Sequence, residues 1–189
     1  MSELTQEEIL SELRAYKETS DDDNIRFKEI IKQKLLNNQK IIHVIHNTNL
    51  NEDEPDAYFG INIKPFILLP EVQDEPMNYI CFKTEFEASS RENEIKKYER
   101  VTFLILCDGK TLIDDETGIA RHDLLGSIIR EEFNYSNCFG SQAVLIADKE
   151  STTDSNYATR TLTFSIVTTK NILKTENGIT SIINKEVRR

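Results

Sequence analysis

Tyr79-Ile80-Cys81-Phe82-Lys83-Thr84-Glu85-Phe86 and, after a charged stretch, Tyr98-Glu99-Arg100-Val101-Thr102-Phe103-Leu104-Ile105-Leu106-Cys107 decide the fold. In the first run Ile80, Phe82, Thr84 and Phe86 alternate with Tyr79, Cys81, Lys83 and Glu85, the period of two expected of a half-buried strand. The second is more apolar and stops at Asp108-Gly109, a turn pair. Together they read as an antiparallel strand pair. After a loop over Thr111 to Gly118, Leu124, Leu125, Ile128, Ile129 and Phe133 fall on one side of a helix over Arg121 to Asn134. Arg121, Asp123, Ser127, Arg130 and Glu131 take the other side. Two more strands follow: a short one at Ala143 to Ala147, then Arg160 to Thr168, where Leu162, Phe164 and Ile166 alternate with Thr161, Thr163 and Ser165.

Upstream of the sheet the period is helical. Thr5 and Glu8 form a capping box before Ile9, Leu10, Leu13 and Tyr16, which reads as a short amphipathic helix. Asp21, Asp22 and Asp23 end it and open a second helix striped with Phe27, Ile30, Ile31, Leu35 and Leu36. Asn37-Asn38 breaks that helix, and Ile41, Ile42, Val44 and Ile45 make a further short buried element. The expected fold is α+β: N-terminal helices, then a mainly antiparallel four-stranded sheet of order β-β-α-β-β covered by one helix. Residues 1–23 read as a helical extension, 24–168 as the core domain and 169–189 as a C-terminal arm. Ile80, Phe82, Phe103, Ile105, Leu125, Ile129, Leu162 and Phe164 are expected to share one core.

A chain of 189 residues is long enough to bury such a core. Its 38% hydrophobic and 30% charged residues are a globular balance. No apolar run approaches the roughly 20 residues of a membrane span, and the first residues lack the basic-then-apolar pattern of an export signal, so neither insertion nor export is expected. The 33 acidic against 23 basic side chains leave a net charge of −10, which opposes non-specific binding to phosphate backbones. Cys81, Cys107 and Cys138 are far apart, without a Cys-x-x-Cys pair, and read as reduced structural cysteines.

No catalytic, cofactor or metal site is expected. His43, His46 and His122 have no Ser, Cys or Asp partner at a motif spacing and read as packed or capping histidines. Asp114-Asp115-Glu116 lacks the alternating ligands and internal glycine of a calcium loop and reads as a solvated turn. The six glycines are isolated, so nothing resembles a phosphate-binding loop. Pro55-Asp56 with Glu94-Ile95-Lys96 echoes the PD-(D/E)xK arrangement of metal-dependent nucleases, but Glu94 and Lys96 fall in a charged loop where that family needs a strand. Tyr98, Tyr135 and Tyr157 lack the surrounding basic patch of a base-stacking platform and read as core-edge or interface aromatics.

Four segments carry a resemblance: Asp56 to Pro70 (DAYFGINIKPFILLP), Asn78 to Phe82, Ala120 to Leu125 (ARHDLL) and Tyr157 to Phe164 (YATRTLTF). In element order the chain resembles, over about residues 24–168, the neck and tail-terminator proteins of tailed bacteriophages. The N-terminal helix, the Asn47 to Pro55 insert and the C-terminal arm exceed the minimal domain of that family. The resemblance implies a virion structural protein made in the host cytoplasm and placed at the neck or top of the tail. It implies a ring, commonly a homohexamer, that caps the tail tube and meets the head-side connector, with DNA passing through unbound and no membrane involved. Acidic walls suit such a passage, because attraction would stall a moving polyanion. A cytoplasmic adaptor and the nuclease are the alternatives.

The stretches Asn47 to Pro76 and Ser89 to Lys97 exceed the usual connection of about 4 to 6 residues, which points to a role in contacts. The proline-containing run Ile61 to Pro70 holds Ile61, Ile63, Phe66, Ile67, Leu68 and Leu69, too apolar for a solvated loop. It packs either on its own domain or on a neighbour, and Phe59, Ile63, Phe66 and Leu68 are the expected inter-subunit contacts.

Overall fold

Phe103, in the middle of the third strand, gathers the core: its ring lies 6.3 Å from Phe82, 5.0 Å from Phe133 and 5.8 Å edge-on from Phe164. The computed structural model describes residues 5–16, 23–68, 77–89, 96–153 and 156–169. The acidic Asp21 and Asp22, Leu69, Pro70, Glu94 and the expected C-terminal arm beyond Thr169 lie outside these residues, while Thr169 itself ends the last strand.

Helices α1 (Gln6–Ala15), α2 (Asp23–Leu36) and α3 (Gln39–Ile45) come first. The Thr5–Glu8 capping box of α1 is formed in both directions. Asn38 starts α3 by accepting from the Lys40 N–H at 3.2 Å, and His46 ends it in the left-handed region at φ 52°. A 3-10 turn (Pro55–Tyr58) leads into β1 (Ile63–Lys64), followed by β2 (Tyr79–Ser89), β3 (Lys96–Asp108), α4 (Arg121–Phe133), β4 (Ala143–Thr152) and β5 (Tyr157–Thr169). The sheet runs β1-β2-β3-β5-β4, with β1 parallel to β2 and the remaining pairs antiparallel.

The α+β class therefore holds, with differences of detail. The sheet has a fifth strand, β1, because Ile63 and Lys64 pair with Ile80 and Cys81 before Pro65 removes the next donor. The cover is not one helix. Phe27, Ile31 and Leu35 of α2 and Ile41, Ile42 and Ile45 of α3 are fully or almost fully buried in the same cluster as Leu125, Ile129 and Phe133 of α4. Strand β4 continues through Asp148 to Thr152, expected as loop. As an edge strand bulged between Leu145 and Ala147 it needs no apolar alternation there. All eight expected core residues, from Ile80 to Phe164, have no exposed surface.

Helices α2, α3 and α4 pack on one face of the sheet. On the other, Tyr79, Cys81, Leu106 and Tyr157 form a small second cluster beneath Leu68 and Met77 at the β1 side. From Leu104 outward, Thr102, Thr161, Thr163 and Ser165 are only half-buried. Among the described residues no helix covers that part.

Phe164 touches both Phe103 and Phe133, so its loss leaves a hole between sheet and α4. Phe164→Ala should cost about 3 to 5 kcal/mol, lowering the melting temperature by roughly 10 °C or more in a chain of this size, as read by circular dichroism.

Candidate functional site

The strap between α3 and β2 is built on asparagines. Asn47 donates to the Asn62 side chain at 2.7 Å, Asn62 to the Asn78 carbonyl at 2.8 Å, and Asn78 to the Ile45 carbonyl at 2.9 Å. The Asp108 N–H donates to Asn78 Oδ1 at 3.0 Å. Asn62 and Asn78 are buried, and each bond meets a backbone or amide group that burial would otherwise strand. A cleft of about 160 Å³ opens above the network between His46, Asn47 and Thr111.

This network fixes where the four expected contact residues lie. Phe59 is half-buried under the Lys32 ammonium, 4.7 Å from the ring centre. Ile63 is wholly inside its own core and cannot meet a neighbour, because β1 pairing turns it inward. Leu68 packs on the second cluster, where its carbonyl lies 4.0 Å from Cys81 Sγ. Phe66 stays outside at 52% exposure, with Ile61 and Ile67 exposed beside it on the strap. The strap thus divides its apolar residues between its own domain and the surface.

Two charged clusters clamp α4. Asp114 is buried rather than solvated: it meets Arg121 Nη1 at 3.0 Å and accepts from the Thr117 N–H and hydroxyl at 2.9 and 2.7 Å. The Thr117 hydrogen bonds, helped by Arg121, hold its carboxyl below the usual range. Arg121 also donates to the carbonyls of Thr111 and Val44, fastening the loop and α3 to the start of α4. In the second cluster Arg160 grips Asp148 with two bonds of 2.9 and 2.8 Å and reaches Asp123 at 3.0 Å. A β-carbon on Gly126 would stand 2.6 Å from Arg160 Cδ, so the glycine makes room for this arginine.

His122, Asp123 and Glu150 bring three possible metal ligands within 4.8 Å of one another. The Arg160 guanidinium already bonds Asp123 there, and a cation would have to displace that charge. His43 is exposed instead of packed, 3.3 Å from Glu52, and His46 caps α3. Burial pushes the Cys107 thiol up to about 12 and raises Cys81 as well, which leaves both without thiolate character at neutral pH. Tyr157 is buried, while Tyr135 is 63% exposed. The PD-(D/E)xK residues are not brought together as far as they are described. Asp56 precedes β1, whose Ile63 lines up through Ile80 with Ile105, whereas Lys96 starts β3. The strand between Ile105 and Lys96 is about 30 Å long.

Residues 33–166 match the model of the YomW family, which is phage-associated. No curated protein matches the chain.

The Arg160 clamp gives two tests. Gly126→Ala should destabilise by about 1 to 3 kcal/mol through overpacking, although alanine is the better helix former by about 1 kcal/mol. In an Arg160→Ala background the same exchange should stabilise, the sign change being read by urea unfolding. The Arg160 hydrogen bonds hold the Asp148 carboxyl below its ordinary value. A lowered folded pKa stabilises above the unfolded value near ~3.9 and is lost as pH falls through the folded one. The melting-temperature gap between wild type and Asp148→Asn should be full at pH 7, begin to narrow as pH falls toward the unfolded value of ~3.9, and close only below the lowered folded value.

Proposed function

Since the chain belongs to the YomW family and is a phage-associated protein, we propose that it is a virion structural protein of the tail-terminator or neck kind. In this reading it assembles into a ring, commonly of six copies, that caps the tail tube, meets the head-side connector and lets DNA pass. The observation that carries the reading is Phe66 with Ile61 and Ile67, apolar side chains held in the open on a strap that the asparagine network makes rigid. A rigid apolar projection is what a head-to-tail contact needs, because little ordering entropy is lost when the neighbour arrives. The net charge of −10 supports it by disfavouring adhesion to passing DNA. The protein acts by assembly and not by catalysis, and its partners are further copies, the tail-tube protein and the connector.

Phe66→Asp tests this. Its parent side chain is exposed, so the variant should melt within a few degrees of wild type. It should fail to form the closed ring that native mass spectrometry and negative stain are expected to find for wild type, or to enter particles when supplied in place of wild type. A folded Phe66→Asp chain that enters particles normally would sink the ring reading at this surface, and magnesium-dependent plasmid cleavage by wild type, lost in a Glu94→Ala/Lys96→Ala double variant, would replace it with the nuclease.

A further inference from the structure

Two apolar surfaces of this chain have no counterpart among its described residues. The first is α1, where Ile9, Leu10, Leu13 and Tyr16 are 42 to 56% exposed and no residue of the helix is buried. A capped helix with an apolar stripe turned to water is stable only weakly by itself, since most helix stability comes from packing that stripe. The second lies on the bare outer face of the sheet. Tyr98 of β3 sits directly opposite Val167 of β5, and Val144 of β4, opposite Ser165, is the diagonal neighbour of Val167. Val167 and Val144 are 42% and 37% exposed, and Ile146 at the bulge is 52% exposed.

We infer that α1 of one copy docks on the outer sheet face of a second copy, laying Ile9, Leu10, Leu13 and Tyr16 across Tyr98, Val167, Val144 and Ile146. Size agrees. The stripe from Ile9 to Tyr16 is about 10 Å long, and the patch crosses two strand spacings, also about 10 Å. Charge agrees too. In α1, Glu7, Glu8 and Glu12 face a single base, Arg14. From Leu104 outward the alternation and pairing put Lys83, Lys96, Arg100 and Lys149 on the outer face, where among the described residues the one acid is Glu85, paired with Lys83 at 2.8 Å. That is a basic surface on a strongly acidic chain, and it flanks the apolar patch. The helix would supply the missing second layer of the sheet, completing the cover that α2 to α4 give the other side. Because the two surfaces differ, the contact is head-to-tail and each copy keeps one helix and one sheet face to offer onward. The inference rests on the assembly reading above and names a second contact for it.

The test uses two full-length variants, Leu10→Asp/Leu13→Asp on the helix and Val144→Lys/Val167→Lys on the sheet, each in a Phe66→Asp background that removes the strap contact. All four positions are exposed, so both variants should keep the wild-type melting temperature; if the lysine pair lowers it, Val167→Thr with Val144→Thr takes its place. Light scattering should find wild type above the mass of one chain, rising with concentration and falling with added salt. Each variant alone should have the mass of one chain. Mixed one to one they should form a species of two chains and nothing larger, since only one intact helix and one intact face remain. Wild-type-like assembly by either variant, or a mixture that stays single-chain, would overturn the docking. Wild type that stays single-chain at about 1 mM, with α1 protected against its own sheet or bare, would overturn it as well. In none of these cases does the ring reading fall with it, because that is decided by Phe66→Asp and by entry into particles.

Discussion

Phe103 cannot be satisfied by a sheet alone. Its ring has neighbours on β2, β5 and α4, and through Phe133 it joins Phe139 at 5.9 Å and then Phe27 of α2 at 4.6 Å. An aromatic chain of this kind fills the space between sheet and helices at close-packed density, so moving any helix opens a void against several rings at once. The consequence is that α2, α3 and α4 are all committed to the same face. Among the described residues no further core helix covers the other, and the outer face there shows threonines, a few valines and bases.

Once the helices are committed, polar groups must follow them inside. Arg121 lies at the start of α4 where three segments converge, and it is buried because it ties the carbonyls of Thr111 and Val44 to Asp114. Arg160 faces α4 from β5 in the same alternation as Leu162 and Phe164, so it needs Asp148 and Asp123 beside it and a glycine in front of it. Removing one partner of either cluster leaves a charge in a dry place, which costs far more than the intact pair contributes. The clusters therefore fix register and helix placement. The rigidity they give the scaffold is what allows the strap and the outer face to present apolar side chains without collapsing onto them.

Periodicity made most of this fold legible. Alternation in β2, β3 and β5 and the stripes of α2 and α4 named residues that are fully buried, because a period of two or of 3.6 follows directly from backbone geometry. What stayed hidden were features set by partners distant in sequence. Asp114 lies in a run of three acids that looks solvated, and only Arg121, brought back by the start of α4, buries it. Ile63 looked available to a neighbour because Pro65 and Pro70 argue against a strand, yet two residues of pairing suffice to turn it inward. A signal existed for the Arg160 clamp: alternation back from Leu162 puts Arg160 on the core face, and a buried arginine demands acids and space. Phe66 and Leu68 both follow the two-residue strand and share one parity, yet Phe66 is exposed while Leu68 packs on the second cluster, and no local pattern encodes that.

Charge distribution connects the two contact surfaces to the proposed role. The whole chain carries an excess of ten acidic groups, yet four of its 23 basic side chains gather on the outer sheet face, where among the described residues the one acid, Glu85, is paired with Lys83. Covering that face with an acidic helix removes basic groups from solvent and neutralises part of α1 at the same time. What remains exposed on an assembled copy is then more uniformly acidic than on a free one. In the proposed role a polyanion meeting the free chain would find a positive patch that one meeting the assembly would not, because exposed charges attract or repel only within a Debye length of ~8 Å. If the protein has the proposed role, assembly through the sheet face would produce the low-adhesion surface that a DNA passage requires, and the same contact that builds the particle would remove the feature that would obstruct it.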